Sequence, residues 1–391
     1  MEMGAVAETI AVYGYRVRQA RTIRHSPIKP LAQMLDMSPS AWTVLERSTS
    51  TDMPRLKLRT LATRLRFPAE FFSQPPGLPI HRGSLLFRSK KSIKVAQIDA
   101  LTTLAEMIVE LVTALGEYAT QPPLRLPMAL RQGISPEEAA RLTRQALDLP
   151  ESEPISHVIH TLERAGVPIA IADVDMPDAR HDAFSVWGGD FQEQPLVVAR
   201  PVNSWERTRW SIAHEAGHLI LHRGATGEVD EDAANRFANE FLLPADVLRE
   251  EWPGAVTLTS LMPLKQRWKL SLASIITHGK HLGLIEDHRA AGLFKQLSAR
   301  RDPNTGVTWR IQEPGWADLE PERPRLLAVM AERGLEQRPT PDLFTALTGG
   351  WAPDLMEEII SGQREAPAVV QELAKTAPSS LPGNVVALRR A

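Results

Sequence analysis

The chain has no cysteine in 391 residues. A disulfide framework and a thiolate metal site are therefore excluded, and any bound metal must be held by histidine and carboxylate. No apolar run approaches the ~20 residues that a membrane-spanning helix needs, and the N-terminus lacks a signal-peptide pattern. A cytoplasmic protein with no membrane partner is expected. A phosphate-binding glycine loop is missing too, as is any internal repeat. Net charge is almost absent at −2, yet it is unevenly spread, because residues 1–94 hold 16 Lys+Arg against 6 Asp+Glu. A basic first segment on an acidic body suggests a nucleic-acid-facing module joined to something else, although a solvated basic surface would give the same count.

What is present reads as an ordinary globular chain. With 43% hydrophobic and 24% charged residues it can bury a real core, and its length suggests two or three domains. Residues 12–72 read as all-helical, with Ser38 capping a helix whose first position is Pro39. Short helices joined by tight turns there suggest a helix-turn-helix. SQPPGLPIHRGS (73–84) has the composition of a linker, and a long helix comes next, from about Ile93 to Tyr118. Ser135 and Pro136 open another helix (135–149), and PISHVIHTLERAG (154–166) completes the pair. VPIAIADV (167–174), AFSVWGG (183–189) and PLVVAR (195–200) are short, β-branched runs that predict a small sheet, antiparallel at its second and third strands. Helices return at 208–223, 230–243 and 260–283, and a helical, proline-punctuated region begins at 286. The fold class expected is α+β, mostly α.

AHEAGHLILH (213–222) carries the chemistry. On a helix, His214 and His218 share one face with Cβ atoms ~5–6 Å apart, close enough for both imidazoles to meet one ion. Glu215, beside the first histidine, can reach a water at that ion and take its proton. A buried helix whose histidines bond neighbouring carbonyls is the plainer alternative. A third donor is needed for a tetrahedral catalytic site with one open position. His222 is poorly placed, since at ~1.5 Å rise per residue it lies about 12 Å along the axis from His214. Asp230, Glu231 and Asp232 open the next helix, where acids are also favoured by the helix dipole. Glu231 is the preferred donor, because Asn235 one turn on is placed to orient a ligating imidazole.

These residues, with LERAGVPI (162–169), AFSVW (183–187), PLVVAR (195–200), the Arg207–Trp210 lead-in, EDAANRFANEFLLP (231–244) and LKQRWKLSLASIITHGKHLGLI (264–285), resemble the ImmA/IrrE family of zinc metallopeptidases. The resemblance covers roughly residues 155–300. It implies a zincin-like domain, with zinc (Zn2+) as cofactor on His214, His218 and Glu231 and with Glu215 as catalytic base. It also implies a narrow protein substrate, typically a helix-turn-helix repressor in a stress, prophage or mobile-element response. A cognate toxin, double-stranded DNA and a second copy of the chain are further candidate partners. FKQLSARRDPNTGVTWRIQEPGWADLEPERPRLL (294–327) resembles the helical continuation of many members.

LAQMLDMSPSAWTVLER and LKLRTLATRLRFPAEFF resemble an XRE-type helix-turn-helix of the Cro/phage-repressor sort. The resemblance implies that a recognition helix begins at Ser38 and turns Pro39, Ser40 and Val44 toward the groove. Such domains usually place glutamine, asparagine or arginine there; here only Ser40, Thr43 and Arg47 are polar enough, and Ser48 replaces the usual glycine. Arg16, Arg18, Arg21, Lys57 and Arg59 are candidate phosphate contacts. A structural or dimerising role stands beside DNA contact, and a non-proteolytic transcriptional regulator or toxin–antitoxin component stands beside the peptidase. The expected organisation is a helix-turn-helix domain (1–75), a linker and helical connector (76–150), the metallopeptidase domain (151–290), a helical C-terminal region (291–375) and a flexible tail (376–391).

Overall fold

A computed structural model of the chain describes residues 8–81, 84–85, 94–127, 133–174, 176, 182–225, 229–337 and 350–361. The expected tail lies outside the described residues. At the N-terminal end, β1 (Thr9–Val12), α1 (Gly14–Ile23), α2 (Ile28–Met34), α3 (Pro39–Arg47), β2 (Thr51–Pro54) and α4 (Arg55–Leu65) succeed one another. The Ser38 side chain accepts the Ala41 N–H at 3.1 Å, with Pro39 at the first helical position. The all-helical expectation for residues 12–72 is corrected by the β1–β2 pair, antiparallel with Val12 opposite Thr51. Four-residue strands are too short to show a period of two, and the partner lies beyond three helices.

The described residues of 76–150, read as linker and connector, are built into the body of the protein. Helix α5 (Val95–Gly116) is buried along most of its length from Ala100 to Leu115. It is apolar nearly all round, as a helix covered on every side must be. Its two buried-side carboxylates hold the segment that precedes it. Glu110 accepts the Gly77 N–H at 2.8 Å, while Glu106 accepts the Ile80 N–H at 3.0 Å and the Tyr15 hydroxyl at 2.8 Å. The proline-rich stretch therefore lies bound along α5.

Helices α6 (Pro136–Ala146) and α7 (Val158–Arg164) lead into a sheet of β3 (Ile169–Ile171), β4 (Ala183–Gly188) and β5 (Gln194–Ala199). The order is β3-β5-β4, with β3 parallel and β4 antiparallel to β5. Both faces are covered. Phe184, Val186, Leu196 and Val198 join one core with α1–α5 and the C-terminal helices, while Ala183, Trp187, Val197 and Ala199 join another with the helices after the sheet. A sheet covered on both faces reads as continuous apolar runs, which is how these strands read. The polar exception in β4 is Ser185, fully buried on the second face.

After the sheet come α8 (Trp205–Leu221), α9 (Glu231–Leu242), α10 (Ala245–Glu251), α11 (Met262–Trp268), α12 (Leu272–His281) and α13 (Asp287–Ala299). The single helix expected over 260–283 is divided. Lys269 adopts a left-handed φ of 54°, and the Ser271 side chain then caps α12 by accepting the Ser274 N–H. The helical continuation expected through 327 also ends early, at Ala299. From Arg300 to Arg325 the chain is turns and extended backbone, with Pro303, Pro314, Pro321 and Pro324 and left-handed glycines at 306 and 315. Helices α14 (Leu326–Gln337) and α15 (Pro353–Ser361) then return to pack on α5 and β3, placing Leu327, Met330, Met356 and Ile359 in the first core.

The return is held at its start by Glu163 of α7, which accepts the N–H of Arg325 at 2.9 Å and of Leu326 at 2.8 Å. Burial pushes its carboxyl up to about 7, and those two N–H groups only partly offset the shift. A carboxyl raised above its unfolded value favours the folded state when protonated. The stabilisation is full below about pH 4.5 and is lost as pH rises through about 7. Wild type should therefore lose on the order of 3 kcal/mol between pH 5 and 8 relative to Glu163→Gln. Urea unfolding of both proteins across that range measures the difference, and parallel pH curves would contradict it.

Candidate metal centre

Helix α8 starts at Ser204, whose side chain accepts the Arg207 N–H at 3.3 Å. It buries Ile212, Ala213, Ala216 and Leu219 in the second core, which fixes its rotation on the sheet. Helix α9 starts at Asp230, whose side chain accepts the Ala233 N–H at 3.0 Å, and it buries Ala234, Phe237, Ala238 and Phe241. The two helices approach closely at Gly217, where an added Cβ would stand 3.0 Å from a ring carbon of Phe237. Glycine between the histidines thus lets the first turn of α9 come up to them.

That approach brings His214, His218 and Glu231 together, with one donor atom from each within 4.8 Å of the others. The two Nε2 atoms lie 3.0 Å apart. Glu231 Oε2 is 3.3 Å from His214 Nε2, and Oε1 is 3.5 Å from His218 Nε2. Three donors at ~2.0–2.1 Å from a tetrahedral ion would stand about 3.3 Å apart, so the spacing fits zinc. The Oε1 atom of Glu231 is buried without a hydrogen-bond partner among the described residues, an acceptor that a shared cation would satisfy. Burial works against its charge, but the two imidazoles outweigh it and hold the carboxyl below the usual range. It faces them as an anion.

Each imidazole has its own support. His218 Nδ1 lies 2.9 Å from His222 Nδ1. Burial and then the neighbouring His218 push His222 down to about 4, so at neutral pH it is an uncharged ring able to accept the His218 N–H. That leaves the Nε2 lone pair of His218 toward the other donors. The Trp210 ring stacks on His214 with centroids 5.2 Å apart, and its Nε1 donates to Asn239 Oδ1 at 3.1 Å. Asn235, expected to orient a ligating ring, is half-buried one turn beyond Glu231 and hydrogen-bonds to neither ring among the described residues. Its expected part falls to His222 and Trp210, each one helical turn from a histidine on α8 itself.

Glu215 is buried, and its Oε2 accepts the Ser185 hydroxyl at 2.7 Å. Burial pushes its pKa up, against the pull of His218 and His214. Ser185 was not singled out from the sequence. Its signal was a lone hydroxyl at an α8-facing position of an otherwise apolar strand.

The residues proposed for DNA are spread differently. Arg16 is buried, bonding Glu110 and Gln19 at 2.8 Å each and the Pro75 carbonyl at 2.7 Å. It is a structural residue of the α1–α5 contact, and its expected role at phosphate is corrected. The physical reason is α5, which lies across α1 and which local pattern does not reveal. Arg21 is tied to Glu46, and the Lys57 ammonium donates to the Leu35 carbonyl. Arg18 is half-buried, and Thr43 is half-buried with its hydroxyl turned to the Pro39 carbonyl. Ser40, Arg47 and Arg59 are exposed, as is Val44 at 69%, so the outer face of α3 is poor in base-reading groups.

Residues 162–277, from the end of α7 into α12, match the family model Peptidase_M78, described as the IrrE N-terminal-like domain. No curated protein matches the chain. The match supports peptidase activity at a general level, and it spans every residue of the candidate centre. No helix among the described residues is long and apolar enough to cross a membrane.

The purified protein is expected to bind about one zinc per chain, with a thermal stabilisation that grows with free zinc. His214→Ala and Glu231→Ala should abolish stoichiometric binding. His222→Ala should weaken it about 10–100-fold by removing support from His218. Competition with a chromophoric chelator measures all three, and undiminished affinity in Glu231→Ala would remove that residue from the centre.

Proposed function

We propose that the chain is a zinc-dependent endopeptidase. The observation that carries this reading is the convergence of two imidazoles and one carboxylate beside a buried glutamate held by a serine hydroxyl. Zinc at such a site supplies a bound water of pKa near 7 and polarises the scissile carbonyl. The chain's residues do the rest. Glu215, aimed by Ser185, takes the proton of the attacking water and returns it to the leaving amine. Its buried position keeps bulk water from competing for that proton. His222 and Trp210 keep the two imidazoles turned inward.

Strand β4 carries Ser185 and pairs only with β5 among the described residues. An extended substrate would add as a strand at its other edge, which is covered in this structure, Phe184, Ser185 and Val186 being fully buried. The family resemblance supports a helix-turn-helix repressor as that substrate, cleaved to release a stress, prophage or mobile-element operon. A sequence-reading regulator that uses this domain only as a sensor is the weaker alternative. The burial of Arg16 and the exposure of Val44 at the centre of α3 weigh against it.

Glu215→Gln should keep zinc and the fold while lowering cleavage of a co-expressed repressor by on the order of 10²–10⁴-fold. Gel analysis of the repressor, alongside the zinc content of the variant, measures this. Cleavage at the wild-type rate would overturn the role given to Glu215.

A further inference from the structure

A cleft of about 890 Å³ opens beside the candidate metal centre. That is the size of sites that enclose drug-sized ligands. Two of its walls are the helices that carry the metal-binding candidates. Trp210, stacked on His214, belongs to α8, and Asp232, Asn235 and Arg236 belong to the first turns of α9. The opposite wall is α12 together with the irregular segment after α13, which contributes Arg310, Ile311 and Trp316. The family match ends at residue 277, so those three side chains lie outside the matched domain.

The cleft is lined by three carboxylates and three guanidinium groups, but they are not equally exposed. Glu206 and Glu313 line it but are buried, and both spend their carboxylates on Lys265, at 2.5 and 3.1 Å. Glu313 also accepts the backbone N–H of Leu272 and Ala273. Asp232 is then the exposed acid of the lining. On the cationic side stand Arg207, Arg236 and Arg310. Arg236, half-buried, pairs with Glu137, and Arg207, exposed, pairs with Asp182. Arg310 is exposed, with its guanidinium 5.7 Å from the centre of the Phe294 ring. A ligand entering the cleft meets guanidinium groups over an aromatic floor, the surface that suits carboxylates carried on a partly apolar chain.

We propose that this cleft binds an acidic stretch of polypeptide next to the bond that is cut, and so sets the substrate class. The proposal rests on the peptidase reading for what happens to that polypeptide, but the binding itself does not. A zinc-loaded, full-length Glu215→Gln protein is titrated with fluorescein-labelled Ala-Glu-Glu-Leu-Glu-Ala and with its counterpart bearing lysine for glutamate. Anisotropy should show about ten-fold tighter binding of the acidic peptide, a preference that shrinks as salt is raised. Arg310→Ser, at an exposed position, should weaken the acidic peptide several-fold, and Asp232→Asn should tighten it. Equal binding of the two peptides, or indifference to both substitutions, overturns the proposal. If the acidic peptide binds with that dependence while wild type cleaves no protein, the cleft stands and the peptidase reading falls. If wild type cuts casein in a Glu215-dependent way while the lysine peptide binds as well as the acidic one, the reverse holds.

Discussion

The close approach of α9 to α8 is the constraint on which the rest of the site depends. Gly217 leaves room for the Phe237 ring, and the apolar stripe of α9 is drawn onto α8 by burial of Phe237 and Phe241. The carboxylate of Glu231 rides on that packing. A donor set spanning two helices is only as well placed as the contact between them, so hydrophobic burial, which has no direction of its own, here sets a geometry of a few tenths of an ångström. The same contact takes His218 out of water entirely. A buried imidazole must have its polar atoms met, and His222 and Glu231 face its two nitrogens.

The sheet has a comparable double duty. Its first face closes the core shared by the N-terminal helices, α5 and the returning α14 and α15, while its second face seats α8. The candidate site is therefore mechanically continuous with parts of the chain far from it in sequence. Arg209 of α8 pairs with Glu322, Trp205 donates to the Gly315 carbonyl, and Lys265 bridges Glu206 and Glu313. These links fasten the irregular segment 300–325 along the helix that holds both histidines. The two ion-paired links use buried charges, and removing one partner would leave the other uncompensated.

The parts legible in advance were those encoded within a turn or two of chain. Ser38 and Ser135 cap helices where a hydroxyl precedes the run, and His214, Glu215 and His218 were readable because helical periodicity turns spacing into proximity. The acidic start of α9 was legible as a candidate for the same reason. Less legible were features decided by a partner far along the chain. Arg16 and Arg47 are alike as arginines on short helices, yet α5 covers the first and leaves the second exposed. Ser185 looked like one polar residue in a strand until α8 was laid across it.

By itself, then, the order of residues determined the helix starts at Ser38 and Ser135, the three short buried strands, the face shared by two histidines and the exclusion of thiolate chemistry. Those arise from local dihedral preference and periodicity, which act over a few residues. Tertiary structure decided that Glu231 meets both imidazoles, that Ser185 holds Glu215, that α5 is core rather than connector, and that segment 300–325 walls a cleft. Each of those depends on which distant surfaces exclude water together, a collective outcome that no local stretch of chain encodes.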